Sequence, residues 1–299
     1  MAQLPADPES CPARLKFTAI YEPLAESSSE PSFTMTLRFA TASLALVLFS
    51  FSSSAAEPEP AAISAPELAA KLRAKHQDGT SYIRLRIEVA GAAKSSLQLQ
   101  VKSRVSGTTT DLVYQVLFPK ERKGEAVLLQ RKGGRISGTL FTPPNTIRPL
   151  AAAQLDEALF GGGLSYEDVI DNFFAWEQQA TVGSELVDRV NCTILESKPG
   201  KGERSSYTSV RTWVDARRLV PLRIEKYSAP GRLARRIDTT RVVTDDKGRS
   251  IPANLTIRDA RGITTELDGS RIKHDVTFAD DEFTPEGLKT MTVPRSAPE

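Results

Sequence analysis

Apolar and polar positions alternate with a period of two along most of this chain, and a helical period replaces it only near the start and in the middle. Ser64-Ala65-Pro66-Glu67 has the form of a capping box, and Leu68, Ala69 and Leu72 follow at helical spacing, so an amphipathic helix is predicted to end near Asp78-Gly79. Beyond it Ile83, Leu85, Ile87 and Val89 alternate with Tyr82, Arg84, Arg86 and Glu88, and Leu97, Leu99 and Val101 alternate with Gln98, Gln100 and Lys102. Such segments are strands with one apolar and one wet face, joined here through Gly91. More strands are expected at 112–118, 126–130 and 135–141, with Gly133-Gly134 as the turn between the last two.

The pattern changes between Pro143 and Asn172. Pro143-Pro144-Asn145 ends the first run of strands, residues 150–160 carry Ala and Leu at helical spacing, and Gly161-Gly162-Gly163 stops that helix. Ser165 then caps a second short helix with Asp168 at its third position, loaded with Val169, Ile170, Phe173, Phe174 and Trp176. Two short helices between two strand runs predict a cover over a sheet. Two adjacent aromatics on a regular helix cannot both face one core, so Phe173 or Phe174 is expected at the mouth of a cavity or on a guest. Strands resume at 180–182, 187–196, 207–215, 222–227, 236–243, 253–259, 264–267 and 272–278. Turn residues separate them at Lys198-Pro199-Gly200, Pro230-Gly231, Asp246-Lys247-Gly248, Arg261-Gly262 and Asp268-Gly269. The expected fold is α+β and mainly β: a curved antiparallel sheet forming an incomplete β-barrel, with an N-terminal helix and an inserted helical lid.

One hairpin carries a family signature. Trp213-Val214-Asp215, a turn from Ala216 to Leu219, Pro221-Leu222-Arg223-Ile224-Glu225 and the Pro230-Gly231 turn resemble the hairpin of LolA-like outer-membrane lipoprotein-sorting proteins. The likeness extends upstream to Leu159-Phe160-Gly161 and Leu164-Ser165-Tyr166-Glu167-Asp168, and downstream to Lys247-Gly248-Arg249-Ser250-Ile251-Pro252 and Phe283-Thr284-Pro285. It covers roughly residues 65 to 288, most closely in the C-terminal half. The resemblance implies a periplasmic half-barrel that shields a lipid or lipoprotein acyl chains under a lid. Its further partners would be an inner-membrane transporter or an outer-membrane acceptor. The alternative within the same fold is an envelope sensor that binds lipoprotein and a membrane regulator.

The N-terminal region fits that compartment. Met35-Thr36-Leu37-Arg38 precedes an apolar run from Phe39 to Phe51, too short for a stable membrane span, and Ser54-Ala55-Ala56 offers the small residues of a cleavage site. The expected organisation is an extension or mis-assigned start at 1–34, a signal peptide at 35–56, a linker at 57–63, a LolA-like domain at 64–290 and a flexible tail at 291–299. Composition is ordinary for a globular chain, at 40% hydrophobic and 25% charged, and the formal charge of +2 is spread rather than clustered, which argues against nucleic acid. Of two cysteines, Cys11 precedes the expected cleavage point, so Cys192 is left as a lone structural thiol.

Catalytic chemistry has little to build on. There are two histidines, His76 and His274, no Gly-x-Ser-x-Gly elbow, and no set of ligands at metal spacing. The triple glycine lacks the Lys-Ser/Thr of a phosphate loop and reads as a hinge or cap. Glu167-Asp168 and Asp280-Asp281-Glu282 are acidic clusters of the kind that face water. No catalytic residue, metal or cofactor is therefore expected, and the candidate site is apolar: Ile83, Leu85, Ile87, Leu97, Leu99, Phe173, Phe174, Trp213, Leu222 and Ile224 as the lining of a lipid cavity.

Overall fold

The period-two alternation is realised as strands throughout the computed structural model, which describes residues 63–76, 79–90, 95–229 and 231–293. The extension and leader expected up to residue 56, the linker expected at 57–63 except for Ile63, and the tail beyond residue 293 lie outside the described residues. In chain order the strands are β1 (Thr80–Ala90), β2 (Ser95–Ser106), β3 (Thr109–Phe118), β4 (Ala126–Lys132), β5 (Arg135–Thr142), β6 (Thr146–Leu150) and β7 (Gln178–Val187). They continue with β8 (Val190–Lys198), β9 (Ser209–Asp215), β10 (Val220–Ser228), β11 (Arg232–Thr244), β12 (Ser250–Asp259) and β13 (Thr264–His274). All belong to one 13-stranded antiparallel sheet in the order β6-β5-β4-β3-β2-β1-β13-β12-β11-β10-β9-β8-β7.

This order is a meander that starts and finishes in the middle of the sheet. The first six strands step outward to one edge, the chain crosses to the opposite edge, and the last seven step back until β13 pairs with β1. The sheet is not closed. β6 and β7, its two edges, are consecutive in the chain, and residues 151–177 connect them.

The crossing segment is less helical than its sequence suggests. Residues 150–160, predicted as a helix, instead finish β6 at Leu150 and form 3-10 turns at Ala152–Gln154 and Leu159–Gly161. Here β6 was itself unexpected, since Pro149 sits in it, but an edge strand tolerates a missing N–H. A five-residue helix α2 (Tyr166–Ile170) follows with the predicted cap: Ser165 Oγ accepts from the Asp168 N–H at 3.2 Å, and the Ser165 N–H donates to Asp168 Oδ2 at 2.7 Å. Phe173–Ala175 is a 3-10 turn, not a continuation of the helix. Gly161 adopts φ +84°, which only glycine accepts cheaply, whereas Gly163 is pressed onto the sheet, where an added Cβ would lie 3.0 Å from Thr265 Oγ1 and 3.1 Å from Ile257 Cγ2. The triple glycine thus serves turning and close approach.

The first helix, α1 (Ala65–His76), forms as predicted and lies on the same side of the sheet as the crossing segment; its Leu68 and Leu72 are fully buried against Phe173, Phe174, Leu195 and Val214. The opposite side is covered in part by the segment after β13. There Phe283 and Leu288 pack on Val113, Leu128 and Phe141. Consequently the expected wet face of β2 is dry over part of its length: Gln98 is exposed, but Gln100 and Lys102 are only 1% and 2% exposed. Their polar atoms are matched, with Gln100 donating to Gln115 at 2.8 Å, Gln115 donating to the Leu288 carbonyl at 3.1 Å, and Lys102 Nζ at 2.5 Å from Glu282. A second correction concerns Asp268-Gly269, read as a turn. Asp268 pairs with Arg86 of β1 and Asn254 of β12 and Gly269 pairs with Leu85 of β1, so the dipeptide stays within β13, next to a register shift between Arg84 and Leu85. Among the described residues no helix is long and apolar enough to cross a membrane.

Candidate ligand-binding face

Register partners trace an apolar row across the side of the sheet that α1 and the crossing segment cover. Val89 faces Thr265, Thr265 faces Ile257, Ile257 faces Ile237, Ile237 faces Ile224, Ile224 faces Thr212, and Thr212 faces Leu195. On this inner face two clusters form. One, on β1 to β6, joins Ile87, Leu97, Leu99, Tyr114 and Leu129 to Leu159, Tyr166 and Ile170 of the crossing segment, with Ile83 and Leu85 packed against it. The other joins α1 to Phe173, Phe174, Trp176, Leu195, Val210 and Val214, with Ile224 at its border.

Eight of the ten candidate lining residues therefore lie on the inner face, in two groups. Trp213 and Leu222 lie on the other face, with Val187, Cys192 and Val220. Trp213 donates from Nε1 to Glu185 at 2.8 Å and carries the Arg223 guanidinium 5.5 Å above its ring. A register shift between Pro221 and Arg223 places Leu222 in a bulge, so that Val220 and Ile224 point to opposite sides although they are four residues apart. Phe173 and Phe174 enter the same cluster, each 8% exposed with ring centroids 4.3 Å apart. The expectation that they must diverge fails because a 3-10 turn replaces the regular helix.

Little space is left between cover and sheet. Leu85, Ile87, Tyr114, Leu159, Leu164, Val169, Ile257 and Leu267 enclose a cavity of about 40 Å³. A ligand pocket for a medium-sized organic molecule measures ~300–1,000 Å³, so the inner face is filled by its own cover.

Between the two apolar clusters runs a buried ionic seam that the sequence reading missed. Lys226 on β10 and Arg235 on β11 are direct cross-strand partners, an arrangement that like charges make unfavourable. Asp168 of α2 enters between them. Its Oδ1 lies 2.9 Å from Lys226 Nζ, and Oδ2 is ion-paired with Arg235 Nε; the side chains of Asp168 and Lys226 are 0% and 2% exposed. Tyr207 donates to Asp168 at 2.7 Å, and Arg235 donates to the Gly163 carbonyl at 2.5 Å. The Lys226 ammonium is an ion pair by distance without good hydrogen-bond geometry, and it also sits 5.3 Å and 4.9 Å from the ring centres of Phe173 and Tyr207.

Burial alone would raise the Asp168 pKa, but Lys226 and Arg235 outweigh it and hold the carboxyl below its usual range. Burial likewise works against the Lys226 charge, and Asp168, Asp171 and Tyr207 outweigh it and hold Lys226 above its ordinary value. Glu167 is also buried, accepting from Ser205 Oγ at 2.6 Å and from the Ser206 N–H at 3.0 Å. The pair Glu167-Asp168, read as water-facing, is thus the clasp that fixes the crossing segment to β10, β11 and the loop before β9. A period-two reading of β10 contained the signal, because Lys226 shares the parity of inward-facing Ile224.

The histidine His274 belongs to another network. His274, Asp245 and Asp246 come close enough to suggest a cation site, yet the Arg249 guanidinium already lies 2.9 Å from Asp245 and 3.0 Å from His274 Nε2. Positive charge is present where a metal would have to sit, so the trio is an ion-pair network. Cys192 is fully buried, and burial pushes its thiol pKa up, which fits a packing role.

An open antiparallel sheet whose edges are bridged by a covering insertion defines a LolA-like fold, and solved structures share it. A DUF1329 family protein from Desulfovibrio piger superposes with a TM-score of 0.70 at 21% identity, covering 75% of this chain and 97% of the other. A putative outer membrane lipoprotein-sorting protein domain from Vibrio parahaemolyticus gives 0.68 at 19% identity, with 76% and 98% covered. A LolA superfamily protein from Nitrosomonas europaea gives 0.60 at 24% identity, with 75% and 98% covered. A family model described as "Uncharacterized protein" matches residues 109–290, and the chain belongs to that family. No curated protein matches the chain at a significant level.

Proposed function

We propose that the protein is a non-catalytic periplasmic carrier that shelters a lipid, or the acyl chains of a lipoprotein, on the inner face of its sheet. The observation that carries this reading is the pair of apolar clusters on the inner face, covered by a segment that is wedged into both by its own side chains and clasped to the sheet by the ionic seam between them. Each buried methylene contributes about 0.8 kcal/mol, so an acyl chain lying on Ile83, Leu85, Ile87, Leu97, Leu99 and Ile224 would gain ample affinity. It would do so by displacing Leu159, Tyr166 and Ile170, which occupy that face now. The filled interior suits a carrier, because the cover competes with the guest and offsets part of its grip, leaving release feasible.

The organisation that goes with this reading is export by a leader at 35–56, a mature start at Glu57 and a working domain at 64–290. Delivery would run from an inner-membrane transporter to an outer-membrane acceptor. The test is mass spectrometry of lipid retained by natively purified mature protein, followed by transfer between donor and acceptor vesicles. Retained lipid that moves to acceptor vesicles supports the carrier. Protein that neither retains nor transfers lipid refutes it, and retention with no transfer but a stable complex with a membrane regulator would favour the sensor.

A further inference from the structure

Away from the clasp, a cleft of about 350 Å³ opens at the end of the sheet between α1, the turns after β2 and β4, the end of α2 and the loop before β9. Arg73, Arg131 and Arg204 line it, with Asp171, Asn172, Glu203 and the backbones of Gly107, Gly133 and Gly134. Most arginines on this sheet are paired: Arg104 with Asp111, Arg211 with Glu196, Arg223 with Asp238, Arg235 with Asp168. The three in the cleft differ. None has a hydrogen-bond acceptor or an ion-pair partner among the described residues, and Arg131 Nε is shut off from solvent as well.

A half-buried guanidinium without an acceptor costs folding free energy; Arg131 is such a group, and the exposed side chains of Arg73 and Arg204 stand around the same opening. Asp171 does not repair this. Its Oδ1 accepts from the Asn172 N–H at 2.7 Å, while Oδ2 has no partner. We propose that the cleft binds a phosphate-ester anion, gripped by the guanidinium groups of Arg73, Arg131 and Arg204. A carboxylate offers two oxygens and is satisfied by one guanidinium fork, whereas a tetrahedral phosphate ester presents more acceptors to converging forks.

The flanking carboxylates set a pH dependence. Asp171 faces Lys226 of β10, Glu167 of α2 and Arg131 of β4, with Glu203, Arg204 and Arg73 around the same opening. Burial, the largest influence, pushes its carboxyl up to about 6. An arriving anion is repelled by the ionised carboxylate and tolerated by the protonated one. Binding of a phosphodiester, whose single charge is constant over this range, therefore strengthens as pH falls from 8 toward 5.5.

This inference stands apart from the acyl-chain reading, since the cleft can hold a phosphate ester whether or not the inner face ever takes a chain. The experiment is isothermal titration of the mature protein with glycerol 1-phosphate, with dihexanoyl phosphatidylglycerol and with neutral dihexanoylglycerol, the last reporting on the apolar face alone. Binding of either phosphate-bearing ligand, weakened about tenfold or more by Arg131→Ala and by Arg204→Ala, supports the site. If both bind, the ester itself suffices; if only the lipid binds, the phosphate belongs to a lipid headgroup. Arg204 lies in an exposed loop, so its variant carries the test should Arg131→Ala not fold. No binding of either ligand, indifference to both arginines, or an equal loss in Arg217→Ala on the exposed turn before β10 overturns the proposal.

Discussion

Replacing Asp168 by Asn separates charge from shape in the clasp. Asparagine is nearly isosteric and can still accept from the Ser165 N–H, so the cap of α2 survives while Lys226 and Arg235 lose their shared counter-ion. Lys226 is 2% exposed and Arg235 12% at the side chain, so solvent does little to screen the two cations left facing each other. Removing one member of a buried ion pair costs about 3–5 kcal/mol, and the value here belongs at the upper end because two cations depend on one carboxylate. Guanidinium denaturation at pH 7 measures it. Lys226→Met, which keeps the aliphatic stem against Phe173 and Tyr207, should recover about half of the loss in the double variant. Linkage gives a second readout. The folded Asp168 pKa is depressed, so its contribution is complete above the ordinary carboxylate range and disappears as pH falls through the folded value. The variant should lack that acid-side loss. A cost below about 1 kcal/mol, or a double variant less stable than Asp168→Asn alone, would refute the account of the clasp.

Asp171, three residues further on, should behave with opposite sign. Its folded pKa is raised to about 6, so the protonated form favours the native state, and stability should fall as pH rises from about 4 to about 7; Asp171→Asn should flatten that limb in thermal melts at stepped pH. Phe173→Ala removes a ring buried against α1, and a loss of about 3–5 kcal/mol in denaturant titration is expected; a loss under about 1 kcal/mol would mean the ring is a mobile flap. Gly163→Ala drives a methyl onto Thr265 and Ile257, with an expected cost of about 1–3 kcal/mol and faster amide exchange in α2.

The sheet was legible wherever a strand carries its own alternation. Ile83 to Val89 and the Gly133-Gly134 hairpin announce themselves, because pairing and burial there follow from local pattern. What escaped depends on partners remote in sequence. Gln100 and Lys102 look solvated until Leu288 and Glu282, far along the chain, fold over them. Residues 150–160 have helical composition, but they must turn off an edge strand and pass across the sheet, and 3-10 turns achieve that. At the site, the apolar residues of β1 and β2 were legible by parity. Trp213 and Leu222 were assigned to the cavity by character alone, and the bulge at Leu222 that sends Val220 and Ile224 to opposite sides leaves no mark in composition. Asp168 was recognised as a capping residue, and the same carboxylate also neutralises two cations that only strand register brings together.

The connection between the two edge strands is longer than its path demands. Roughly 27 residues at ~3.3–3.6 Å each could span ~90 Å, while twelve inter-strand steps of ~4.8 Å amount to ~58 Å along the whole sheet. Chain length therefore leaves roughly 30 Å of slack, enough for the cover to lift clear of the sheet without pulling on either edge. It is a slack strap, fastened at Asp168 and Glu167 and wedged at Leu159, Ile170 and Phe173. If the cover lifts as the proposed carrier requires, the free energy of those few attachments, and not the length of the backbone tether, would set how often the inner face is bare.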